Sequence, residues 1–424
     1  NRVSRREFLA TGASAAAMSG IPVIHAAPAR DPKPIRIGLV GCGGRGTGAV
    51  VDAMHADPNV RLVAMTDPFQ DRIDRSLANL RNQDETGVNP ERVEVTEETC
   101  FTGLDGYKEV LKMDLDYVCL VSPPGFRPSH FEAAVEAGKH IFAEKPLGTD
   151  PVGVRRIRTA AQKAKDKGLS VVVGLNARHS LYSVELVRRV NDGAIGKILG
   201  GRSYRMHGGL WHRGSNPSWT PMEYQCRNWY YFCWLSGDQI TEMAVHSMDF
   251  VNWVMGSTPL SAIGSGGRTV RTDPKYGNIW DHMSIDYEYP DGIHVILMVR
   301  QWDGCANASG NFFIGCDGTL DRRGIAGKNP YSINRDERKE MPSGQYEHWK
   351  LIDSIKNGKA INNALEFAAD STLTTILGRE AAYTGRKITW DEILTSNLDL
   401  APKGEIRFGP APERPPARPD RPRL

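Results

Sequence analysis

The period of apolar positions changes along this 424-residue chain, and the changes outline its architecture. From residue 35 to about 143, short β-branched runs alternate with stretches patterned for helices. Ile35-Arg36-Ile37-Gly38-Leu39-Val40 reads as a buried strand, 47–56 as a helix, Val60 to Met65 as a second strand and 70–83 as a charged helix. After a polar excursion to about 100 come a helix near 105–112, the strand Asp116 to Val121, a helix from about Pro128 to Ala137, and the apolar run Lys139-His140-Ile141-Phe142. This alternation predicts a doubly wound parallel sheet over residues 33–150. Beyond 150, a helix rich in Arg, Lys and Ala (151–167) leads to Val171-Val172-Val173, and past Gly196 the period becomes two. Ile285, Tyr287 and Tyr289 alternate toward one face and oppose His294 to Val299 across Pro290-Asp291-Gly292, a hairpin signal. Runs at 198–206, 259–270 and 311–320 extend this into a large, mostly antiparallel open sheet, and 345 to about 384 reads as helical. The predicted fold class is α/β, with the parallel-sheet domain followed by an α+β domain over 151–400. The Pro- and Arg-rich residues 401–424 read as a disordered tail.

The charge balance changes this picture only at the ends. The formal net charge is +3, but residues 1–30 carry four Arg against one Glu and residues 401–424 carry six basic residues against three acids, which leaves the body at −3. No nucleic-acid-binding surface is indicated. Ser4-Arg5-Arg6-Glu7-Phe8-Leu9 followed by the small and apolar run Ala10 to Ile24 resembles a twin-arginine export signal. Residues 1–29 are therefore set aside as a signal cleaved within Ala26 to Ala29. The twin-arginine translocase is the expected partner during export, and the mature chain is expected to be periplasmic or otherwise extracytoplasmic, with no membrane span. Seven scattered cysteines without a C-x-x-C pair indicate neither a disulfide framework nor a metal site.

Candidate chemistry begins where the first strand opens onto Gly41-Cys42-Gly43-Gly44-Arg45-Gly46, a G-x-G-x-x-G loop. Gly41 permits the tight turn, Gly43 lets backbone approach a pyrophosphate, and Gly46 lets the next helix pack close, its free N–H groups facing the phosphates. Asp67 ends the second strand about twenty residues on, where an acid accepts hydrogen bonds from ribose hydroxyls and repels a 2′-phosphate. The strand, loop, helix and acid together indicate a Rossmann dinucleotide site that favours NAD over NADP. Ser122-Pro123-Pro124 and Ala143-Glu144-Lys145-Pro146 each break the chain at the carboxyl end of a later strand, where open α/β sheets bind ligands.

Taken in order, G-x-G-G-R-G, Asp67 with Arg72, Ser122-Pro123 with His130, Ala137-Gly138-Lys139-His140 and Glu144-Lys145-Pro146 resemble the Gfo/Idh/MocA oxidoreductases. The likeness runs from about residue 35 to about 390. It implies that Gly44, Arg45, Ser122, Pro123, His130, Glu144 and Lys145 join Gly41, Gly43, Gly46 and Asp67 at the cofactor. It also implies a Lys145–Pro146 bond that tends to be cis and a homo-oligomer, dimer or tetramer, formed on the open sheet. Asn176 and Arg178, after the Val171–Val173 run, correspond to the family's polar pair at the substrate.

A second-domain helix carries the remaining candidates. Residues 238–255 are mostly apolar, begin after Ser236 with Gln239 three residues on, a capping-box pattern, and stop at Gly256. Glu242, His246 and Asp249 fall at i, i+4 and i+7, one stripe of one face. By themselves they read equally as a solvent-facing Glu–His pair. The resemblance makes His246 the partner of Lys145 across the cofactor, with Asp249 at the substrate, although Glu242 stands where the family more often has Asp. In that reading His246 is the base for a hydroxyl proton, Glu242 holds its tautomer, and Lys145 stabilises negative charge on the substrate oxygen.

Between Trp211 and Trp234 lie Trp219, Tyr224, Trp229, Tyr230, Tyr231 and Phe232, mixed with His212, Arg213 and Arg227. Such a stretch suits a sugar ring and equally suits the packing of a long loop. Export of an NAD enzyme implies cofactor loaded before translocation and retained tightly. The leading expectation is an exported oxidoreductase acting on a secondary hydroxyl of a small carbohydrate. One alternative is a glycosidase that uses a transient keto-sugar and no net redox change. The other is a non-catalytic sugar- or nucleotide-binding protein.

Overall fold

The computed structural model describes residues 33–333 and 340–419. Residues 1–29, read as an export signal, and the final residues 420–424 lie outside the described residues. Strands β1 (Ile35–Val40), β2 (Val60–Asp67), β3 (Cys100–Thr102), β4 (Tyr117–Leu120), β5 (His140–Ala143) and β6 (Val171–Val173) form a wholly parallel sheet in the order β3-β2-β1-β4-β5-β6. The inner strands are apolar on both faces because helices cover both: Ile37, Leu39, Val118, Cys119, Ile141 and Phe142 are all fully buried. The covering helices are α1 (Gly44–Ala56), α2 (Gln70–Arg81), α3 (Gly106–Lys112), α4 (Arg127–Glu136) and α5 (Pro151–Asp166). Strand order reverses between β1 and β4, and their carboxyl ends open a crevice there.

The parallel sheet does not end at residue 150. β6 pairs with β5 after the crossover helix α5, so the first domain runs on to about residue 175. The Arg- and Lys-rich composition of α5 marks its exposed face; its other face, including Val154, Ile157 and Ala161, is buried.

The second domain contains α6 (Leu181–Asn191), β7 (Ile198–His207), α7 (Pro221–Arg227), α8 (Asp238–Met255), β8 (Ser261–Gly267), β9 (His282–Tyr289), β10 (Ile293–Gln301), β11 (Ala308–Gly315), β12 (Gly318–Asp321), β13 (Gly324–Gly327), α9 (Ser343–Asn357), α10 (Ala369–Thr384) and β14 (Ile388–Thr389). Its eight-stranded sheet has the order β13-β12-β11-β7-β10-β9-β8-β14, antiparallel except where β7 and β10 run together. The β9–β10 hairpin pairs Ile285 with Leu297 and Tyr287 with Val295, all buried on the inner face that α8 and α10 cover. Its turn places both Asp291 (φ 63°) and Gly292 (φ 69°) in the left-handed region.

The helical stretch near 345–384 is two helices, because Gly358 ends α9 in the left-handed conformation (φ 63°). α9 packs on α1 of the first domain, and its His348 ring stacks on Phe142 of β5 at 4.1 Å. Among the described residues no helix is long and apolar enough to cross a membrane, and all seven cysteines are free.

The tail reading is corrected over residues 401–419, which run along the body of the protein. Gly409 O accepts from Met222 N at 3.0 Å, Pro412 O from Gln225 Nε2 at 2.9 Å and Ala417 O from Trp280 Nε1 at 3.1 Å. Proline removes donors but leaves its carbonyl and ring available, so a proline-rich strap can be held by side chains around it. Its entry is fixed by Asp150, the N-cap of α5, which accepts from Gly153 N at 2.6 Å and, with its other oxygen, from Leu400 N at 2.9 Å. Asp150→Ala removes both acceptors and strands a buried N–H, so the variant should lose about 2 kcal/mol of stability in urea denaturation. Native stability in that variant would show that neither bond contributes.

Candidate active site

A cleft of about 780 Å³ follows the carboxyl ends of the parallel strands and reaches α8 of the second domain. At its floor the glycine loop has the predicted geometry. Gly41 adopts φ +102°, and a side-chain carbon on Gly46 would come within 1.9 Å of Gly41 O, so α1 can sit against the turn only with glycine there. Gly43 and Gly44 have nothing within 4 Å of where a side chain would begin and line the cleft. Gly43 is also the N-cap of α1 and offers no capping side chain. The loop thus fits a dinucleotide's pyrophosphate, with space beside the glycines and a helix N-terminus behind them.

Asp67 lines the same cleft, held by Cys42 N at 2.9 Å and Phe69 N at 3.1 Å. Burial pushes its carboxyl up to about 6, partly opposed by those two amides and by Arg72. Ser122 Oγ meets His130 Nδ1 at 2.9 Å, and the His130 ring lies 4.1 Å from that of Tyr107. Burial, aided by Arg127, pulls His130 down to about 3, so it is a neutral hydrogen-bonding partner at neutral pH. Arg127, only 1% exposed, donates to Pro146 O (3.0 Å), Leu120 O (2.7 Å) and Ser122 O (2.6 Å). One guanidinium therefore fixes the Ser122-Pro123 turn against the Lys145-Pro146 turn, a role that α4's sequence did not signal.

At the second-domain end, Lys145 Nζ donates to Glu242 Oε1 at 2.6 Å and to Glu242 O at 2.7 Å. Glu144 accepts from Arg45 Nε at 2.6 Å and from Lys145 N at 3.1 Å; Gly174, opposite, leaves room for its carboxylate. The Lys145–Pro146 bond is cis. His246 lines the cleft with these groups, and burial together with Lys145, Arg205 and Arg45 holds its imidazole well below the usual histidine range.

Several expectations are corrected here. Glu242 does not orient His246; its longer side chain reaches the Lys145 ammonium instead, and His246 Nδ1 is buried without a hydrogen-bond partner. The capping box at α8 is absent. Gly237 (φ +78°) is the N-cap, Ser236 Oγ accepts from Asp238 N, and Gln239 Nε2 donates to Trp280 O. Asn176 lines the cleft, but Arg178 and Asp249 do not. Arg178 Nε binds Asp249 Oδ2 at 2.9 Å, Ser371 Oγ donates to Asp249 at 2.8 Å, and the guanidinium lies over Phe367 and Trp253 at 4.3 and 4.5 Å. Their charges neutralise one another inside the protein.

The aromatic loop divides. Trp211, Arg213, Arg227 and Trp229 line the cleft, whereas Tyr230, Tyr231 and Trp234 are core residues. Sequence reasoning missed Phe69, Tyr107 and Phe126, which lie beside known motifs, and Gly344 and Glu347, which α9 brings to the cleft from the far end of the chain. Glu347 is 1% exposed, its Oε1 has no hydrogen-bond partner, and burial next to Glu144 raises its carboxyl well above the usual range. No group of three or more His, Cys, Asp or Glu among the described residues is arranged for a metal ion.

Comparison with known proteins agrees with this geometry. A family model described as "Oxidoreductase family, NAD-binding Rossmann fold" matches residues 35–175, and one described as "GFO/IDH/MocA C-terminal domain" matches residues 184–319, together more than half of the chain. The chain belongs to the Gfo/Idh/MocA family. Curated relatives include an inositol 2-dehydrogenase of Rhizobium meliloti (strain 1021), 24% identical over 59% of this chain and 63% of the relative. A glycosyl hydrolase family 109 protein of Streptomyces coelicolor is 25% identical over 52% of each chain. The matches thus cover less than two thirds of these relatives' length. Among solved structures, scyllo-inositol dehydrogenase from Lactobacillus casei with bound NAD(H) and scyllo-inositol shares the fold, with a TM-score of 0.62 at 21% identity, covering 84% of this chain and 99% of that one.

The family's NAD-binding domain gives Asp67 a measurable signature. A carboxyl near 6 takes up a proton as pH falls from 7 to 5 and becomes a weaker acceptor for ribose hydroxyls. NAD(H) affinity should therefore fall by roughly tenfold across that interval, the difference between a charge-assisted and a neutral hydrogen bond. Asp67→Asn should bind weakly and without this pH dependence in calorimetric titration. Equal pH slopes in the native protein and the variant would exclude Asp67 as the titrating contact.

Proposed function

We propose that this protein is an exported carbohydrate oxidoreductase that retains its nicotinamide cofactor and acts on a secondary hydroxyl of a sugar, polyol or glycoside. The observation that carries the reading is that Lys145 and His246, from different domains, line one cleft with the glycine loop. A nicotinamide ring held there would supply the acceptor and later the source of a hydride. The Gly41–Gly46 loop, Asp67 and the Ser122-Pro123 turn are the residues to hold the dinucleotide.

The rest of the chemistry belongs to side chains. Lys145 Nζ would turn from Glu242 toward the substrate oxygen and stabilise its developing negative charge. His246 is in its neutral form, as a general base must be, and would take the hydroxyl proton. Burial, with the cations Lys145, Arg205 and Arg45, keeps it neutral; negative charge forming beside the cations offsets their part, so its basicity rises as the proton moves. Trp211 and Trp229, with ring centroids 6.0 Å apart, offer flat apolar faces to sugar C–H patches, and Arg213, stacked 4.5 Å over Trp211, offers donors to hydroxyls.

The substrate class is supported by the inositol 2-dehydrogenase among the relatives and by a fold neighbour holding NAD(H) and scyllo-inositol. Export is supported by the Ser4-Arg5-Arg6-Glu7-Phe8-Leu9 motif. A folded-state export route suits an enzyme loaded with cofactor before it leaves the cytoplasm and regenerated in place by a second carbonyl compound.

A second reading is favoured by the glycosyl hydrolase family 109 relatives. In it the same residues take the hydroxyl proton while a nicotinamide held in the cleft would accept the hydride, the resulting ketone acidifies the neighbouring C–H, and the aglycone leaves by elimination. Water then adds to the alkene and the hydride returns to the ketone, so the net reaction is hydrolysis.

Denaturing the purified protein and identifying the released nucleotide tests cofactor retention. Incubating the intact protein with a glycoside and no added cofactor separates the two readings. Product that forms only with an added carbonyl acceptor supports the oxidoreductase; net hydrolysis without one supports the glycosidase. Lys145→Ala and His246→Ala should each lower turnover by roughly a hundredfold or more while nucleotide stays bound. An active double variant would remove both residues from the mechanism.

A further inference from the structure

Phe69 stands two residues beyond Asp67, at the N-cap of α2, and lines the cleft at the end where a dinucleotide's adenosine ribose would meet that acid. Two groups from distant parts of the chain meet its ring. The guanidinium of Arg227, at the last position of α7, lies 3.8 Å from the ring centroid, and the ring of Phe408 stacks on it at 5.7 Å and 25°. Arg227 is braced by Glu223 at 3.0 Å, by Asp71 of α2 at 3.0 Å and by the face of Trp219 at 4.8 Å. Phe408 belongs to the strap, pinned just beyond it by the bond between Gly409 O and Met222 N at 3.0 Å. The first domain thus supplies Asp67 and Phe69, while the second domain and the strap each place a group against the Phe69 ring.

We propose that Phe69, Arg227 and Phe408 form a clasp over the adenosine end of the cleft, and that its opening limits release of the adenine dinucleotide. The proposal rests on the nucleotide-binding reading of the cleft and adds what keeps the cofactor in place. Stacking carries most of the clasp. The Arg227 side chain is 16% exposed over an aromatic face, the setting in which a cation–π contact is strongest, whereas Asp71 is 51% exposed and its ion pair is screened by water. Arg227 therefore acts through Phe69 as a positioning residue, and a charge without a planar face is a poor substitute for it.

The test is to load the full chain with NADH, mix it with excess NAD+, and follow loss of bound-NADH fluorescence. Arg227→Ala and Phe408→Ala should each release NADH roughly tenfold faster than the native protein, and Arg227→Lys several-fold faster. Asp71→Asn should stay within about twofold, as expected for an exposed ion pair. Phe408→Leu keeps apolar volume without the flat face and should also release faster. Equal thermal unfolding temperatures of the nucleotide-free proteins separate faster release from misfolding. Native release rates in Arg227→Ala and Phe408→Leu would overturn the clasp, as would Asp71→Asn matching Arg227→Ala. Failure of the native protein to bind NADH at all would instead defeat the nucleotide-binding reading, and the clasp with it.

Discussion

The ion pair between Lys145 and Glu242 is the contact on which the active cleft depends. Both side chains are 13% exposed, one at the end of β5 and the other on α8, so the pair joins the domains at the point where chemistry is expected. A pair this enclosed recovers in mutual attraction about what it loses in hydration, and its value lies more in position than in net stability. It holds the Lys145 and Glu242 side chains together at the cleft that His246 also lines.

Other contacts hold the two halves of that pair in register. Arg379 of α10, with no exposure, donates to Thr149 O at 2.7 Å and Gly237 O at 3.0 Å, linking the chain after β5 to the start of α8. Thr149 Oγ1 also donates to Trp234 O at 3.1 Å. Arg127 performs the same task within the first domain by gripping three carbonyls of the loops that end β4 and β5. Each is a buried cation or hydroxyl satisfying backbone acceptors, a geometry that tolerates little displacement because an orphaned carbonyl is costly. These donors fix the loops carrying Ser122 and Lys145 and the start of α8, the helix that carries Glu242.

The resulting field explains the protonation pattern. Burial, with the charges of Lys145, Arg205 and Arg45, keeps His246 neutral, while Glu347 is raised by burial beside Glu144. The cleft therefore combines a neutral imidazole and a carboxyl disposed to hold its proton. Environments that push titratable groups apart in this way are common at sites that move protons. The end of the cleft around Asp67 is organised differently, by flat faces around Phe69 and by the acids Asp71 and Glu223 that hold Arg227.

The parallel sheet, the glycine loop, Asp67 and the Ser122-Pro123 turn were legible in the sequence, because each is local: a period, a turn chemistry or a short motif; Lys145 and His246 were paired only through the family resemblance. The hairpin from Ile285 to Val299 was legible for the same reason. Partnership was not. Spacing places Glu242 and His246 on one helical stripe, but only the packed domains show that Glu242 reaches Lys145. Arg178 and Asp249 looked like substrate contacts until the fold set them against each other. Composition made residues 401–419 look disordered, yet the Met222 amide and the Gln225 and Trp280 side chains hold that strap in place. Local pattern follows from backbone sterics and hydrophobic burial over a few residues, so the sequence determines it. Pairing of charges and stacking of rings across 97 positions, as for Lys145 and Glu242, depends on where two domains dock, and that was decided by the tertiary structure alone.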